Sequence, residues 1–298
     1  MAERKNGIKS FLERFGTEEA CEKHLFSLRF PNGFVCPKCG CVGEYYTLPK
    51  RKLYQCKDCG RQTSVTAGTA MHRSHLPLTI WFFAMYLVSK DKRGYSAKQL
   101  SNEQDLPYGT AWYLLQRIRS AMGERDSKHL LSGVVELDDT YYGKTKKGGK
   151  RGRGTSKSKI VVAVSKTEKG KPKFLKMKVA PNLKSRTISS FVKSSIAEGS
   201  KVETDAYSSY RKPLESQYLH KYEVFDADSD LLHWLHTMIG NMKAFVNGTF
   251  HGLGKKHLQK YLDEFCYRFN RRFFKTGIFD RLAIAMMNSS PITLSELS

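Results

Sequence analysis

The sequence predicts a multidomain α+β protein: an N-terminal metal-stapled ribbon, a helical segment, and a mixed α/β domain followed by C-terminal helices. Three observations carry this. Four cysteines form two CxxCG pairs, Cys36/Cys39 and Cys56/Cys59, with sixteen residues between them. Residues 76 to 122 place apolar side chains at helical spacing. From Gly133 onward the pattern turns to β-branched strands, one helix, another strand and more helices.

The 298 residues suffice for several domains, read as 1–30 (helical), 31–68 (ribbon), 69–125 (helical), 130–275 (α/β) and 276–298 (tail). Lys and Arg number 51 against 28 acids, a formal net charge of +23. Such an excess faces a polyanion, and its spread along the chain favours nucleic acid over an anionic membrane. The opening MAERKNGIKSFLERFG lacks an apolar core, which argues against a secretory signal. The longest apolar run, Ile80 to Val88, is too short to cross a bilayer. The expected location is the cytoplasm of a cell without a compartment-targeting step, or the nucleus for a eukaryotic source, with no membrane partner.

The seven cysteines are odd in number and clustered, which fits metal binding better than a disulfide framework. Thiolates at i and i+3 point inward from a tight turn, and the glycine after each pair permits its positive φ. Cys36, Cys39, Cys56 and Cys59 are therefore expected to hold one structural Zn²⁺. Residues 44–48 and 52–55 read as a hairpin between the pairs, with Lys38, Lys50, Arg51, Lys52, Lys57 and Arg61 placed to touch phosphates.

In the helical segment, Thr79 to Ser89 forms one helix and Ser96 caps a second. Leu106-Pro107-Tyr108-Gly109 breaks the chain, and Thr110 caps a third helix running to about Met122. The last two resemble a DNA-reading helix-turn-helix, with Tyr108, Tyr113, Gln116, Arg117 and Arg119 around the reading helix. The plainer reading is a packing domain.

Next comes GVVELDDTYYG (133–143), an apolar run with three carboxylates, followed by eight Lys or Arg between 144 and 159. In a strand, Glu136 and Asp138 share one face, and Val135, Leu137 and Asp139 the other. Strands follow at 159–165 and 173–179, then a helix capped by Ser185, a strand 201–205 ending in Asp205, and a strand near 218–225. Helices complete the domain, at about 232–246 and 256–273. Three strands, a helix, a strand and helices is the order of an RNase H-like core, in which the first and fourth strands are neighbours. Asp138 and Asp205 then meet although 67 residues apart, and the pair suits Mg²⁺ or Mn²⁺. Asp also ends strands for purely structural reasons.

With these residues assembled, the chain resembles bacterial insertion-sequence transposases of the DDE type that carry an N-terminal zinc ribbon. The resemblance rests on CPKCG and CKDCG, GYSAKQLSNEQDLPYGTAWYLLQRIRSAM, VELDDTYYGK, VETDAYSSY and HTMIGNMKAFVNGTFHGLGKKHLQKYLDEFCYRFNRR. It implies an RNase H-like catalytic domain, a divalent-metal site, and DNA cleavage at element ends followed by 3′-OH strand transfer. Asp138 and Asp205 are the implied ligands. The expected third glutamate is missing between 236 and 247, and Asn241 stands where part of the group carries Asn. His236, about one and a half turns earlier, points elsewhere and reads as a DNA contact. Lys144, Lys146, Lys147, Lys150, Arg151 and Arg153, with Lys243, Arg268, Arg271 and Arg117, are the remaining DNA-binding candidates. The implied partners are terminal-repeat and target DNA, bound by a homodimer or higher assembly. The alternatives are a zinc-ribbon regulator with an inactive RNase H-like domain, and a structure-selective nuclease.

Overall fold

A computed structural model describes residues 7–144, 148, 154–224, 232–274 and 277–297. The chain forms two compact units, Met1–Met122 with Phe274–Ser298, and Gly123–Phe273. Among the described residues no helix is long and apolar enough to cross a membrane.

The first unit begins with α1 (Ile8–Phe15) and α2 (Glu18–Arg29). The Thr17 side chain accepts from the Ala20 amide, and Glu18 and Glu19 occupy the positive end of α2. The ribbon follows as β1 (Tyr45–Leu48), β2 (Leu53–Cys56) and β3 (Gln62–Thr63), an antiparallel sheet in that order. The hairpin and its 49–51 turn lie where the sequence places them.

Helices α3 (Leu78–Lys90), α4 (Ala97–Glu103) and α5 (Tyr108–Ser127) come next. Ser96 and Gln99 form a reciprocal capping box on α4. Thr110 does not cap α5: the helix starts earlier, at Tyr108 directly after Pro107, and passes Met122. Gln116, Arg117 and Arg119 are buried, so they are interior and not a reading face, whereas Tyr108 is exposed.

The final segment is not a tail. Helix α10 (Ile278–Met287) buries Leu282, Ala283 and Met286, its Phe279 ring lies 5.5 Å from Phe11 and 5.7 Å from Phe82, and the Met286 carbonyl accepts from Ala70. A short α11 (Leu294–Leu297) ends the chain.

The second unit is built on a five-stranded sheet, order β6-β5-β4-β7-β8. Its strands are β4 (Val134–Tyr142), β5 (Ser158–Lys166), β6 (Pro172–Ala180), β7 (Lys201–Asp205) and β8 (Leu219–Glu223). The β4–β5 and β5–β6 pairs are antiparallel, and β4–β7 and β7–β8 parallel. Val135, Leu137, Val161, Ala163 and Val202 face one core with α6 (Ser185–Ser195) and α7 (Ser208–Leu214). Ile160, Val162, Val164, Leu175 and Met177 face the other with α8 (His233–Thr249) and α9 (Leu258–Asn270). The sequence reading lacked α7, seven residues long.

Strand β6 is an edge, and α9 covers it. Gln259 accepts from Val179 N and donates to Met177 O, while Asn270 accepts from Leu175 N and donates to Leu175 O. The exposed ladder groups are thereby satisfied.

Candidate functional site

In the ribbon, the Sγ atoms of Cys36, Cys39, Cys56 and Cys59 lie within 4.8 Å of one another. The Cys36–Cys59 and Cys39–Cys56 separations are both 3.6 Å. A tetrahedron with Zn–S bonds of about 2.3 Å has edges of roughly 3.8 Å, so the four sulfurs fit a closed zinc site. The Cys39 amide, with that of Lys38, brings the Cys36 thiol down to about 6. At Cys39 the Cys41 amide works downward, but the Cys59 thiol, burial and the other thiols push it up to about 12. Zn²⁺ takes its cysteine ligands as thiolates.

In the second unit, β4 and β7 repeat one phrase, Val135-Glu136-Leu137-Asp138 and Val202-Glu203-Thr204-Asp205, and they pair in register, Val135 with Val202 and Glu136 with Glu203. Val135 and Val202 share the α6–α7 core, so Glu136, Asp138, Glu203 and Asp205 start from the opposite face, the one α8 covers. The β4–β7 ladder ends at the glutamates, yet β4 stays paired with β5 to Tyr142 and β7 with β8 to Asp205. The two strands part at the level of the aspartates. The crevice at the carboxyl ends of parting parallel strands is where open α/β sheets bind ligands. Both aspartates are half-buried.

Below them lies a charge network. Glu136 is 3% exposed, its Oε2 accepts from Leu235 N at 2.8 Å in the first turn of α8, and its Oε1 lies 3.2 Å from Lys166 Nζ. Lys166 also meets Glu203 at 2.6 Å. Burial opposes the Lys166 charge, but the two glutamates outweigh it and raise its pKa; burial likewise opposes the Glu203 charge, but Lys166 and Lys201 outweigh it and lower its pKa. Above them, the Asp138 carboxylate accepts from Asp139 N at 2.7 Å. The Tyr210 hydroxyl reaches Asp139 Oδ1 at 3.0 Å and Asp138 Oδ1 at 3.5 Å. Burial first, then Asp138, Asp139 and Asp205, push the Tyr210 pKa well up, so the group remains a donor. Sequence reasoning gave no role to Glu136, Lys166, Glu203 or Tyr210. The shared Val-Glu-x-Asp phrase was the available signal.

A cleft of about 640 Å³ opens beside this end of the sheet, and Lys144, Lys157 and Lys243 line it with Tyr142 and Asn247. The Tyr142 hydroxyl donates to Asn247 Oδ1 at 2.9 Å.

Other candidates fall elsewhere. Arg117 is 4% exposed, donates to His72 O at 2.6 Å and stacks on Trp81. Gln116 and Arg119 are also buried, and Arg119 donates to Tyr95 O. These side chains hold α5 in place and cannot read DNA. Arg271 pairs with Asp126 at 2.8 Å and lies over the Tyr267 ring; Arg268 pairs with Glu264 at 3.3 Å. Both are committed to the fold. Lys146, Lys147, Lys150, Arg151 and Arg153 lie outside the described residues.

Asn241 is exposed and shares a flank of α8 with Phe245, one turn on. Phe245 meets Phe265 of α9, which packs on β6, across the sheet from β7. Lys243, about 200° away at ~100° per residue, is on the other flank. Lys243 lines the cleft with Tyr142 and Asn247, on a flank of α8 that Asn241 does not share.

Residues 130–270 match a family model described as an ISXO2-like transposase domain, and residues 16–62 match a transposase zinc-ribbon domain. An uncharacterised protein in transposable element ISH50 of Halobacterium salinarum is 32% identical over 144 residues. That match covers 48% of this chain and 46% of the relative.

Proposed function

We infer the reaction from one premise: the chain belongs to the insertion-sequence transposases that join a zinc ribbon to an ISXO2-like transposase domain. It cuts DNA at the ends of the element and transfers the freed 3′-hydroxyl into target DNA. One observation carries this reading, the two in-register Val-Glu-x-Asp strands that part at Asp138 and Asp205. The sheet order, antiparallel then parallel with helices on both faces, supports an RNase H-like fold.

Asp138 and Asp205 offer the hard oxygen donors that Mg²⁺ or Mn²⁺ takes, and Tyr210 positions the first of them. When bound, such ions polarise the attacking and leaving oxygens at a phosphorus centre. Lys144, Lys157 and Lys243 neutralise the backbone phosphates along the neighbouring cleft. Zinc in the ribbon is structural, because four protein ligands leave no open position. Joining two DNA ends calls for two sites, hence a homodimer or higher assembly on DNA.

The test is nicking of terminal-repeat DNA with Mg²⁺. Asp138→Asn and Asp205→Asn should abolish nicking while leaving DNA binding, read by fluorescence anisotropy, intact. Strand transfer retained in either variant would refute the assignment. Binding without nicking by the unaltered protein would make it a regulator, and nicking indifferent to the repeat would make it a structure-selective nuclease.

A further inference from the structure

The two edges of the second unit's sheet are finished differently. At β6 the side-chain amides of Gln259 and Asn270 occupy outer ladder groups. At β8 no strand among the described residues pairs with the outer side. Leu219 N donates to Ser200 O, so Leu219, Lys221 and Glu223 turn their amides and carbonyls inward, toward β7. His220, Tyr222 and Val224 therefore turn theirs outward. The side chains are bare as well: Leu219 is 68%, Tyr222 49% and Val224 80% exposed. An open edge of this kind is a template for another strand.

The charges on β8 select a strand that fits. Two copies of β8 can pair antiparallel about a two-fold axis at any one residue. Centred on Lys221, two lysines would oppose each other; centred on Glu223, two glutamates would. Centred on Tyr222, Lys221 of each copy lies opposite Glu223 of the other, and His220 opposite Val224. The same register satisfies the backbone. Tyr222, His220 and Val224, whose amides and carbonyls point outward, become the hydrogen-bonded pairs, with about six bonds in all. Lys221 and Glu223 fall at the close, non-hydrogen-bonded positions, where side chains interact most. Both project from one exposed face, where they meet at 2.5 Å within a single copy.

We propose that β8 pairs with β8 of a second copy of this chain, antiparallel about Tyr222, so that one sheet runs through a homodimer. This inference rests on the reading above that two DNA ends are joined by two sites, and it names the surface that brings those sites together. The two-fold axis of an antiparallel pair stands perpendicular to the sheet, so the aspartate faces of both copies lie on the same side. Glu203 and Asp205 share that face with Lys221 and Glu223, their partners in the β7–β8 ladder. Three strand spacings of about 4.8 Å separate β7 from its counterpart, which sets the two Asp205 residues roughly 15 Å apart. A ladder this short buries less than the about 1,200 Å² of a stable interface, so the pair forms when DNA holds two copies close.

The experiment uses the full-length, zinc-loaded protein saturated with a short duplex carrying one terminal repeat, without Mg²⁺. Sedimentation velocity over a concentration series gives the constant for pairing of two such complexes. Lys221→Glu and Glu223→Lys should each weaken pairing about tenfold or more, because each sets like charges opposite one another at two positions. The double variant Lys221→Glu/Glu223→Lys should restore it, and so should an equal mixture of the two single variants, whose charges complement across the axis. Tyr222→Pro, which removes an outward donor at an edge position that tolerates proline, should abolish pairing. Exchange protection of β4–β5 peptides, unchanged in every variant, separates a lost contact from a lost fold. Pairing indifferent to both charge reversals, or not restored in the mixture, overturns the inference and leaves the two-ended reading standing on another surface. Complexes that never pair, while the unaltered protein still nicks with Mg²⁺, overturn it as well. Pairing restored in the mixture supports the interface even if nicking is absent, and in that case it is the transposase reaction that falls.

Discussion

Glu136 is the buried hinge between the sheet and α8, and its removal is the sharpest test of how the site is built. Glu136→Ala leaves Leu235 N without its charged acceptor and Lys166 with one glutamate instead of two. A hydrogen bond to a charged group contributes about 1.5–3 kcal/mol, and removing one partner of a buried ion pair costs about 3–5 kcal/mol. Because Lys166 retains Glu203, the expected loss lies near the lower end, about 3 kcal/mol. Glu136→Gln keeps an oxygen for Leu235 N and should cost about 1–2 kcal/mol. The two units make a global two-state fit unsafe, so the assay is native-state hydrogen exchange read separately on β4–β5 and α8 peptides. Amides in the first turn of α8 should lose protection first. The double variant Glu136→Ala/Lys166→Ala should cost about 1 kcal/mol or more less than the sum of the singles. An alanine cost below about 1 kcal/mol, equal costs for Ala and Gln, or strict additivity would each refute the reasoning. The pH dependence has a defined sign. The Glu203 pKa is lowered, so its contribution is present above the usual carboxylate range and lost as pH falls through it. The Lys166 pKa is raised, so its contribution is present below the usual lysine range and lost as pH rises beyond it. The Lys166–Glu203 pair is therefore at full strength between the usual carboxylate and lysine ranges.

Chelation of zinc, or Cys39→Ser, should abolish exchange protection in peptides spanning 45–63 while leaving 134–180 unchanged; equal protection with and without metal would show that the ring cluster of Phe26, Phe34, Tyr45 and Tyr54 suffices. Asp263 lines a cavity of about 350 Å³ with Asp126 and Cys266, and burial pushes its carboxyl up to about 6. A raised carboxyl pKa means stability present at low pH and lost as pH rises through about 6, so Asp263→Asn should stabilise the second unit by about 1–3 kcal/mol at pH 8 and hardly at pH 4. An equal shift at both pH values in urea-dependent exchange would contradict this.

Much of the architecture is legible from local pattern. Cysteine spacing marks the ribbon because a knuckle is a four-residue event. The phase of β4 puts Asp138 opposite Asp139 because strand alternation is local. What misled the reading is equally specific. Arg117 and Arg119 look solvent-facing beside Tyr113, yet their guanidiniums satisfy the carbonyls of His72 and Tyr95 inside the helical unit. Residues 278–287 look like a tail until Phe279 finds the rings of Phe11, Phe15 and Phe82.

The sequence by itself marked the four-cysteine ribbon, the five strands of the second unit in order, and an aspartate on each of β4 and β7, since each depends on neighbours a few positions apart. Only the tertiary structure decided which flank of α8 faces β7. A helix turns by about 100° per residue, so one residue of ambiguity moves a side chain from site to solvent, and contacts 99 and 105 positions distant, at Glu136 and Tyr142, fix that rotation.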